Sequence, residues 1–276
     1  MVPANTAMAC WLNQADLTPP RAPLLWPMAS PAPMLTPADS VDFMAALSRM
    51  GLLAPGERPT IVPLTGGVSS AIVRVDLRSG PICLKRALAK LKVAADWQVS
   101  VERNRWEREW LRVAGGIIPE AVPLVLGEDP ETETFAMNFF PPTAYPVWKA
   151  RLLEGHADPA FADQVGERLA KVHAATARQP ELAARFPTDE LFHALRLDPY
   201  LASSARAVPS CAEPLHALIA QTTTHRLALV HGDVSPKNLL VGPHGPVLLD
   251  AECAWWGDPA FDLAFCLNHL LLNGAR

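Results

Sequence analysis

The chain has 276 residues, of which 50% are hydrophobic, which is enough for one large domain or two modest lobes with a buried core. Its formal net charge is −4 and it contains no block of basic residues, which argues against nucleic acid as a partner. Five scattered cysteines without a C-x-x-C pair indicate neither a disulfide framework nor a zinc site. No apolar run is long enough to cross a bilayer, so we expect a cytoplasmic protein without a signal peptide or membrane contact.

The first 38 residues form a leader rich in proline and alanine. This leader (residues 1–38) shows no sustained period of 2 or 3.6 residues, and we expect it to be irregular. Ser40 then caps a predicted helix over residues 41–50, which stops at Gly51. We expect folded structure to begin at this helix.

Residues 39–140 carry the pattern of a small, mostly antiparallel sheet with one long helix. Three strands are predicted at IVPL, AIVRVDL and PICLKRA, joined by turns that contain GG and SG. An amphipathic helix over residues 95–114 follows, because its tryptophans recur at helical spacing before a glycine pair. A second hairpin over residues 122–140 is predicted to turn at Glu128–Pro130.

Residues 141–276 change to a helical pattern after a proline pair. Several amphipathic segments are predicted here, with short strands at ALV before His231 and at VLL before Asp250. The order of elements therefore predicts an α+β chain with a sheet lobe followed by a mainly helical lobe.

One stretch of the helical lobe carries the residues of a chemical site. It reads HGDVSPKNLLVGPHGPVLLDAECAWWGDPAFD from His231 to Asp262. Phosphoryl transfer needs a carboxylate that orients and deprotonates the attacking hydroxyl, together with oxygen ligands for the metal that bridges the phosphates. Asp233, Asn238 and Asp250 supply this set in that order.

The chain resembles the aminoglycoside phosphotransferase and choline kinase group of small-molecule kinases. The motifs that carry the resemblance are HGD-x4-N at 231–238, LLDAE at 248–252 and GDPAFDLA at 257–264, with a lysine-bearing strand far upstream. The resemblance covers roughly residues 60–268 and implies a two-lobed, protein-kinase-like fold. It also implies that ATP or GTP, with Mg²⁺, supplies a phosphate to a hydroxyl of a small molecule.

The resemblance implies a role for each polar residue of the stretch. Asp233 is the expected catalytic base, and Asn238 and Asp250 are the expected metal ligands. Glu252 is either an accessory metal ligand or a structural residue. Asp262 is expected to begin the following helix and to brace the catalytic loop, a structural role.

The nucleotide site is expected in the sheet lobe. The turn LTGGVSS resembles the segment that covers a nucleotide, with backbone N–H groups of Gly66, Gly67, Val68, Ser69 and Ser70 directed at phosphates. Lys85 resembles the lysine that binds the α- and β-phosphates and pairs with a helical glutamate. Glu107 is our choice for that partner, with Glu109 and Glu102 as alternatives. Met137 and Phe139 lie in the segment expected to hold adenine.

Three further side chains have two interpretations each. Lys237 either neutralises charge on the transferring phosphate or is a solvated surface lysine. Trp255 and Trp256 either wall a pocket for a cationic ligand or pack beneath the catalytic loop. His231 is expected to be a packing and hydrogen-bonding residue.

Together these features predict a kinase that phosphorylates an amino alcohol, a sugar or an aminoglycoside. The sequence of the segment DAECAWWGDPAFD is more similar to the methylthioribose and choline kinase type than to antibiotic resistance enzymes. The group usually continues with further helices beyond the GDPAFDLA segment, so we expect a short helical lobe whose acceptor site is incomplete or built differently. The alternatives are an inert nucleotide-binding pseudokinase and a purely structural interaction protein.

Overall fold

The computed structural model describes residues 37–64, 70–88 and 102–274. Within these ranges an antiparallel sheet is followed by a mainly helical region, so the α+β class is confirmed. The leader up to residue 36, the turn residues Gly66, Gly67, Val68 and Ser69, and the first part of the predicted helix over 95–114 lie outside the described residues. The lobe boundaries stay predictions.

The first described helix, α1, spans Pro37–Arg49 and begins earlier than predicted. Proline is favoured at the first helical position because its φ is already near the helical value. Asp39 in the first turn adds a negative charge where the helix dipole favours one. The helix stops as predicted at Gly51, whose φ of 70° is readily adopted by glycine.

Five strands form the sheet of the first lobe. They are β1 (Thr60–Pro63), β2 (Ser70–Leu77), β3 (Gly80–Ala87), β4 (Val125–Asp129) and β5 (Thr134–Asn138). Their order in the sheet is β1-β2-β3-β5-β4, so β3 is the central strand. The three predicted strands and the second hairpin are confirmed, but the hairpin turns at residues 130–133 rather than at Glu128–Pro130, because Glu128 and Asp129 still pair with Phe135 and Thr134. Lys85 lies opposite Ile72 on one side and Phe135 on the other, which places it in the middle of the sheet.

Helix α2 (Arg103–Gly115) packs against β3, β4 and β5. Its buried positions include Trp106, Glu107, Trp110 and Leu111, which recur at the spacing of one helical face. Trp110 is fully buried. The apolar face of α2 thereby fixes the position of Glu107 over the sheet.

Helices dominate the second lobe. They are α3 (Trp148–Leu153), α4 (Pro159–Thr176), α5 (Pro180–Arg185), α6 (Asp189–Phe192), α7 (Ser203–Ala207), α8 (Ala212–Thr224) and α9 (Ala260–Gly274). Helix α4 begins with a capping aspartate, because the Asp158 side chain accepts a hydrogen bond of 2.9 Å from the N–H of Ala160. Between α6 and α7 the chain makes a wide helical segment, His193–Ala202, that contains Pro199.

Four short strands frame the stretch that carries the motifs. They are β6 (Ala228–Val230), β7 (Leu239–Gly242), β8 (Gly245–Leu248) and β9 (Trp255–Gly257). Strand β6 pairs with β9, and β7 pairs with β8. The loop between β6 and β7 carries Asp233, and Asp250 follows β8, so two strand pairs bring these residues together. The predicted strands before His231 and Asp250 are confirmed.

The two lobes share one hydrophobic core. Trp110 and Phe135 of the sheet lobe belong to the same buried cluster as Leu169, Leu229 and Leu248 of the helical lobe. A continuous core limits movement of one lobe against the other. Over residues 37–64, 70–88 and 102–274, no helix combines the length and apolarity needed to cross a membrane.

Candidate active site

A cleft of about 810 Å³ is lined by residues of both lobes. The predicted site residues among its lining are Ser70, Lys85, Glu107, Met137, Phe139, Asp233, Asn238, Asp250 and Glu252. Every predicted site residue that the structure describes therefore faces one cavity. Gly66, Gly67, Val68 and Ser69 lie outside the described residues.

Lys85 sits between two carboxylates at the centre of the cleft. Its Nζ lies 2.6 Å from Oε2 of Glu107 and also forms an ion pair with Oδ1 of Asp250. Glu109 instead contacts Arg112 and Arg185 at the surface. Glu107 is thus the glutamate that pairs with Lys85 in the structure.

Burial and charge oppose each other at this cluster. Burial alone would lower the pKa of Lys85, but the charges of Asp250 and Glu107 raise its pKa above the ordinary value. Burial would raise the pKa of Asp250, yet Lys85 and Lys237 hold that pKa below its usual range. Both groups therefore stay charged at neutral pH. Asp250 has a φ of 68°, a conformation that aspartate tolerates better than most residues.

Asp262 holds the backbone of the loop between β6 and β7. Its Oδ2 accepts a 2.8 Å hydrogen bond from the N–H of His231, and its Oδ1 accepts one of 2.8 Å from Gly232. His173 of α4 contacts the same carboxylate at 2.9 Å. Burial would raise the pKa of Asp262, but the His173 contact and the backbone N–H of His231 lower it. Asp262 thus stays a charged acceptor near the beginning of α9.

His231 supports the loop as a neutral side chain. Its Nδ1 accepts a hydrogen bond from the N–H of Asp233 at 3.2 Å, so Nε2 carries the proton and donates to the Leu249 carbonyl at 3.1 Å. Burial lowers the pKa of His231 despite the nearby carboxylates, Asp262 first among them. Trp110 packs edge-on against the ring at 4.7 Å.

Two cations contact Asp233. Nη2 of Arg196 lies 3.0 Å from its Oδ2, and Nζ of Lys237 lies 3.2 Å from the same oxygen. Burial would lower the pKa of Lys237, but the charges of Asp233 and Asp250 raise it. Asp233 is therefore a buried carboxylate with two cationic partners, as a buried charge requires.

The amide of Asn238 is oriented by the loop itself. Its Nδ2 donates to the carbonyl of Asp233 at 3.0 Å, which leaves the amide oxygen as the group available to a metal. Within the described residues, no group of three or more His, Cys, Asp or Glu side chains is arranged to hold a metal. Mg²⁺ usually takes one or two protein carboxylates together with phosphate and water. Asn238 and Asp250 fit that pattern.

Glu252 contacts an arginine of α2. Nε of the fully buried Arg103 lies 3.1 Å from its Oε2, and Nη2 of Arg103 donates to the Leu88 carbonyl at 2.6 Å. This contact connects α2 to the segment after Asp250. Both interpretations of Glu252 stay open, since the side chain lines the cleft as well.

The two tryptophans are core residues rather than walls of the cleft. Trp255 stacks on Phe192 with ring centroids 4.2 Å apart, and its Nε1 donates to Asp189 at 2.7 Å. Trp256 belongs to the shared core. The aromatic-wall interpretation is therefore wrong, because β9 turns both rings into packed surroundings.

Sequence reasoning missed three partners of the site: Arg196, Arg103 and His173. Arg196 lies between leucines in LRLDPY, and an arginine among buried leucines signals a paired charge. Arg103 and His173 lie on ordinary amphipathic helices, and no local signal marks them.

The fold and the cleft define the class of two-lobed, protein-kinase-like phosphotransferases. Residues 60–273 match the model of the APH family, described as the phosphotransferase enzyme family. The chain belongs to this family.

Curated relatives give a consistent picture. The chain is 27% identical over 240 residues to a methylthioribose kinase of Erwinia tasmaniensis, covering 76% of this chain and 56% of that protein. It is 24% identical over 271 residues to one of Pectobacterium atrosepticum, covering 86% and 66% respectively. The chain thus spans roughly three fifths of the length of the curated relatives it matches.

Solved structures share the fold. A choline/ethanolamine kinase family protein from Mesorhizobium loti has a TM-score of 0.52 at 16% identity, covering 82% of this chain and 69% of that one. The GDP and kanamycin complex of APH(2")-IIia has a TM-score of 0.53 at 14% identity, covering 85% and 80%. The protein-kinase-like fold predicted from the motifs is confirmed.

Proposed function

We propose that this chain is an ATP- and Mg²⁺-dependent kinase that phosphorylates a hydroxyl group of a small molecule. The observation that carries the proposal is the single cleft in which Lys85, Asp233, Asn238 and Asp250 meet. Phosphoryl transfer requires mainly positioning and charge stabilisation, and these four side chains supply both.

Each side chain has one task in the proposed reaction. Lys85, held by Glu107, binds the α- and β-phosphates of the nucleotide. Asn238 and Asp250 hold Mg²⁺, which neutralises charge on the phosphates when it is bound. The hydroxyl oxygen of the acceptor bonds to the γ-phosphorus while the bond between the γ-phosphorus and the β-phosphate oxygen breaks. Asp233 accepts the proton of that hydroxyl.

Lys237 has a further task in this scheme. Its side chain is 49% exposed, whereas that of Arg196 is 10% exposed, so Lys237 is the less enclosed of the two cations on Asp233. We assign Lys237 to the transferring phosphate, where an ammonium group stabilises developing charge. Glu252 is assigned to the edge of the metal site, kept in place by Arg103.

We propose a sugar of the methylthioribose type as the acceptor. Relatives at 24–27% identity are methylthioribose kinases. Arg196 and Lys237 line the cleft beside Asp233, and two cations next to one carboxylate disfavour a positively charged acceptor such as choline or an aminoglycoside. The packed positions of Trp255 and Trp256 also remove these two rings as a surface for such a cation.

The expected location is the cytoplasm. Cys83, Cys253 and Cys266 are free thiols, which suits a reducing compartment where ATP is available.

Thermal unfolding with nucleotide is the first test. ATP or GTP with Mg²⁺ should raise the unfolding temperature, and omission of Mg²⁺ should reduce the rise. Phosphate transfer is then measured with methylthioribose, ribose, choline and kanamycin as acceptors. Stabilisation without transfer to any acceptor would favour the inert nucleotide-binding alternative, and no stabilisation would contradict both.

A further inference from the structure

Arg196 makes more contacts with the catalytic loop than a simple ion pair requires. Its Nε donates to the carbonyl of Gly232 at 2.5 Å, and its Nη1 donates to the carbonyl of Leu195 at 2.7 Å. Its Nη2 contacts Oδ2 of Asp233 at 3.0 Å. One guanidinium group therefore holds both the backbone before Asp233 and the carboxylate itself, a geometry that a planar fork of donors permits.

The side chain of Arg196 is also fixed from outside the loop. Its guanidinium carbon lies 5.4 Å from the ring centroid of Phe265 on α9, and Tyr200 packs edge-on against the same ring at 5.1 Å. Only 8% of Arg196 is exposed. A cation enclosed on these sides has few alternative rotamers, so its position defines that of its partner.

The two carboxylate oxygens of Asp233 differ in their contacts. Arg196 and Lys237 both contact Oδ2, and neither contact uses Oδ1. A carboxylate bound through one oxygen can present the other to an acceptor hydroxyl with a fixed orientation.

We propose that Arg196 is a positioning residue for the reaction: it anchors Oδ2 of Asp233 so that Oδ1 meets the acceptor hydroxyl. This inference rests on the proposed kinase function. Lys237 can leave Oδ2 for the phosphate without releasing Asp233, because Arg196 remains. The role is distinct from nucleotide binding, which belongs to Lys85 and the metal ligands.

The test compares Arg196→Gln and Arg196→Lys with wild type, using ATP, Mg²⁺ and methylthioribose. Arg196→Gln should lower kcat on the order of 10²-fold, the effect of a misplaced base, and leave the KM for ATP within about twofold. Arg196→Lys keeps the charge but loses the fork, so kcat should recover to about a tenth of the wild-type value.

Arg206→Gln is the matched control, because Arg206 is an exposed arginine that contacts Asp198 and Ser203. If both Arg196 variants lose kcat equally, or if the KM for ATP rises along with the loss, the residue is merely structural and the proposal is wrong. If Arg196→Gln is poorly folded, Arg196→Lys alone decides: full kcat in that variant contradicts the proposal. If wild type and Arg206→Gln transfer no phosphate, the proposed function fails first.

Discussion

The ammonium of Lys85 lies 2.6 Å from the carboxylate of Glu107, and both side chains are almost completely buried. The two residues come from the central strand of the sheet and from α2, so the pair connects two elements that are separate in sequence. The same ammonium also contacts Asp250 of the other lobe. Lys85 is therefore the point at which the sheet, α2 and the motif stretch meet.

Glu107→Gln should weaken nucleotide binding and lower stability. Removing one partner of a buried ion pair typically costs 3–5 kcal/mol of stability. Lys85 keeps its ion pair with Asp250, so the loss should be about 3 kcal/mol. Nucleotide titration should show a KM for ATP raised about tenfold or more, equivalent to about 1.4 kcal/mol. Glu109→Gln is the control, since its surface pairs with Arg112 and Arg185 are worth about 0–1 kcal/mol. Equal effects of the two changes would contradict a special role for Glu107.

Asp233→Asn should abolish phosphate transfer while nucleotide binding persists. A positioned base typically contributes 10²–10⁴ in rate, and asparagine cannot accept the hydroxyl proton. The asparagine side chain still fits the loop, so the ATP-dependent thermal shift should be nearly unchanged. Transfer that survives this substitution would show that Asp233 is not the base.

Gly232→Ala should disrupt the catalytic loop. Gly232 has a φ of 77°, and an added Cβ would lie 2.2 Å from the carbonyl oxygen of Cys253, which is backbone and cannot move aside cheaply. We expect a loss of several kcal/mol, as for a strained and overpacked position. Gly166→Ala is the control, because Gly166 lies within α4 with nothing within 4 Å of an added Cβ, and this change should stabilise by about 0.5–1 kcal/mol. Urea unfolding of both variants distinguishes the two effects.

Acid should weaken the contact between α1 and the sheet. Nε and Nη2 of Arg49 bind the two oxygens of Asp129 at 2.7 Å each. The hydrogen bond from Arg49 lowers the pKa of Asp129 from its ordinary 3.8 to about 2. Because the folded pKa is the lower one, the stabilisation is present above pH 4 and is lost as the pH falls toward 2.

Asp129→Asn tests this pH dependence. The arginine is partly exposed, so solvent screening reduces the contribution of this ion pair to stability at neutral pH. The stability difference between wild type and Asp129→Asn should shrink between pH 4 and 2. Asp76→Asn, at an exposed pair with Arg74, should show a much smaller difference at every pH. A difference for Asp129→Asn that does not change with pH would contradict the assignment.

The motif residues were accessible from sequence because they are local. Asp233, Asn238 and Asp250 lie within one stretch, and their order alone predicts a common site, although their chemical roles stay predictions. To identify Glu107 as the partner of Lys85, one must know the register of a helix against a strand. The sequence does not give this register, so Glu109 and Glu102 stayed alternatives. The leucines beside Arg196 signal a paired charge, but its partner Asp233 could not be predicted, since the contact depends on the path of a wide helical segment that carries no motif.

Aromatic residues show a second limit of sequence reasoning. Trp255 and Trp256 suit either a binding pocket or a core, and composition cannot decide which face of β9 is covered. The start of helix α1 shows a smaller limit of prediction from sequence, because Pro37 is equally compatible with an irregular leader and with the first position of a helix. Tertiary packing decides where the two tryptophan rings lie, and the helix begins at Pro37.

The backbone hydrogen bonds of Asp262 make the catalytic loop depend on the docking of α9. Leu263, Leu267, Leu271 and Leu272 of that helix are more than half exposed, so α9 buries only part of its apolar surface. An element with few buried contacts opens at a lower free energy than the sheet. Mild denaturant should therefore release α9 and inactivate the protein by partial opening while the rest of the chain is still folded.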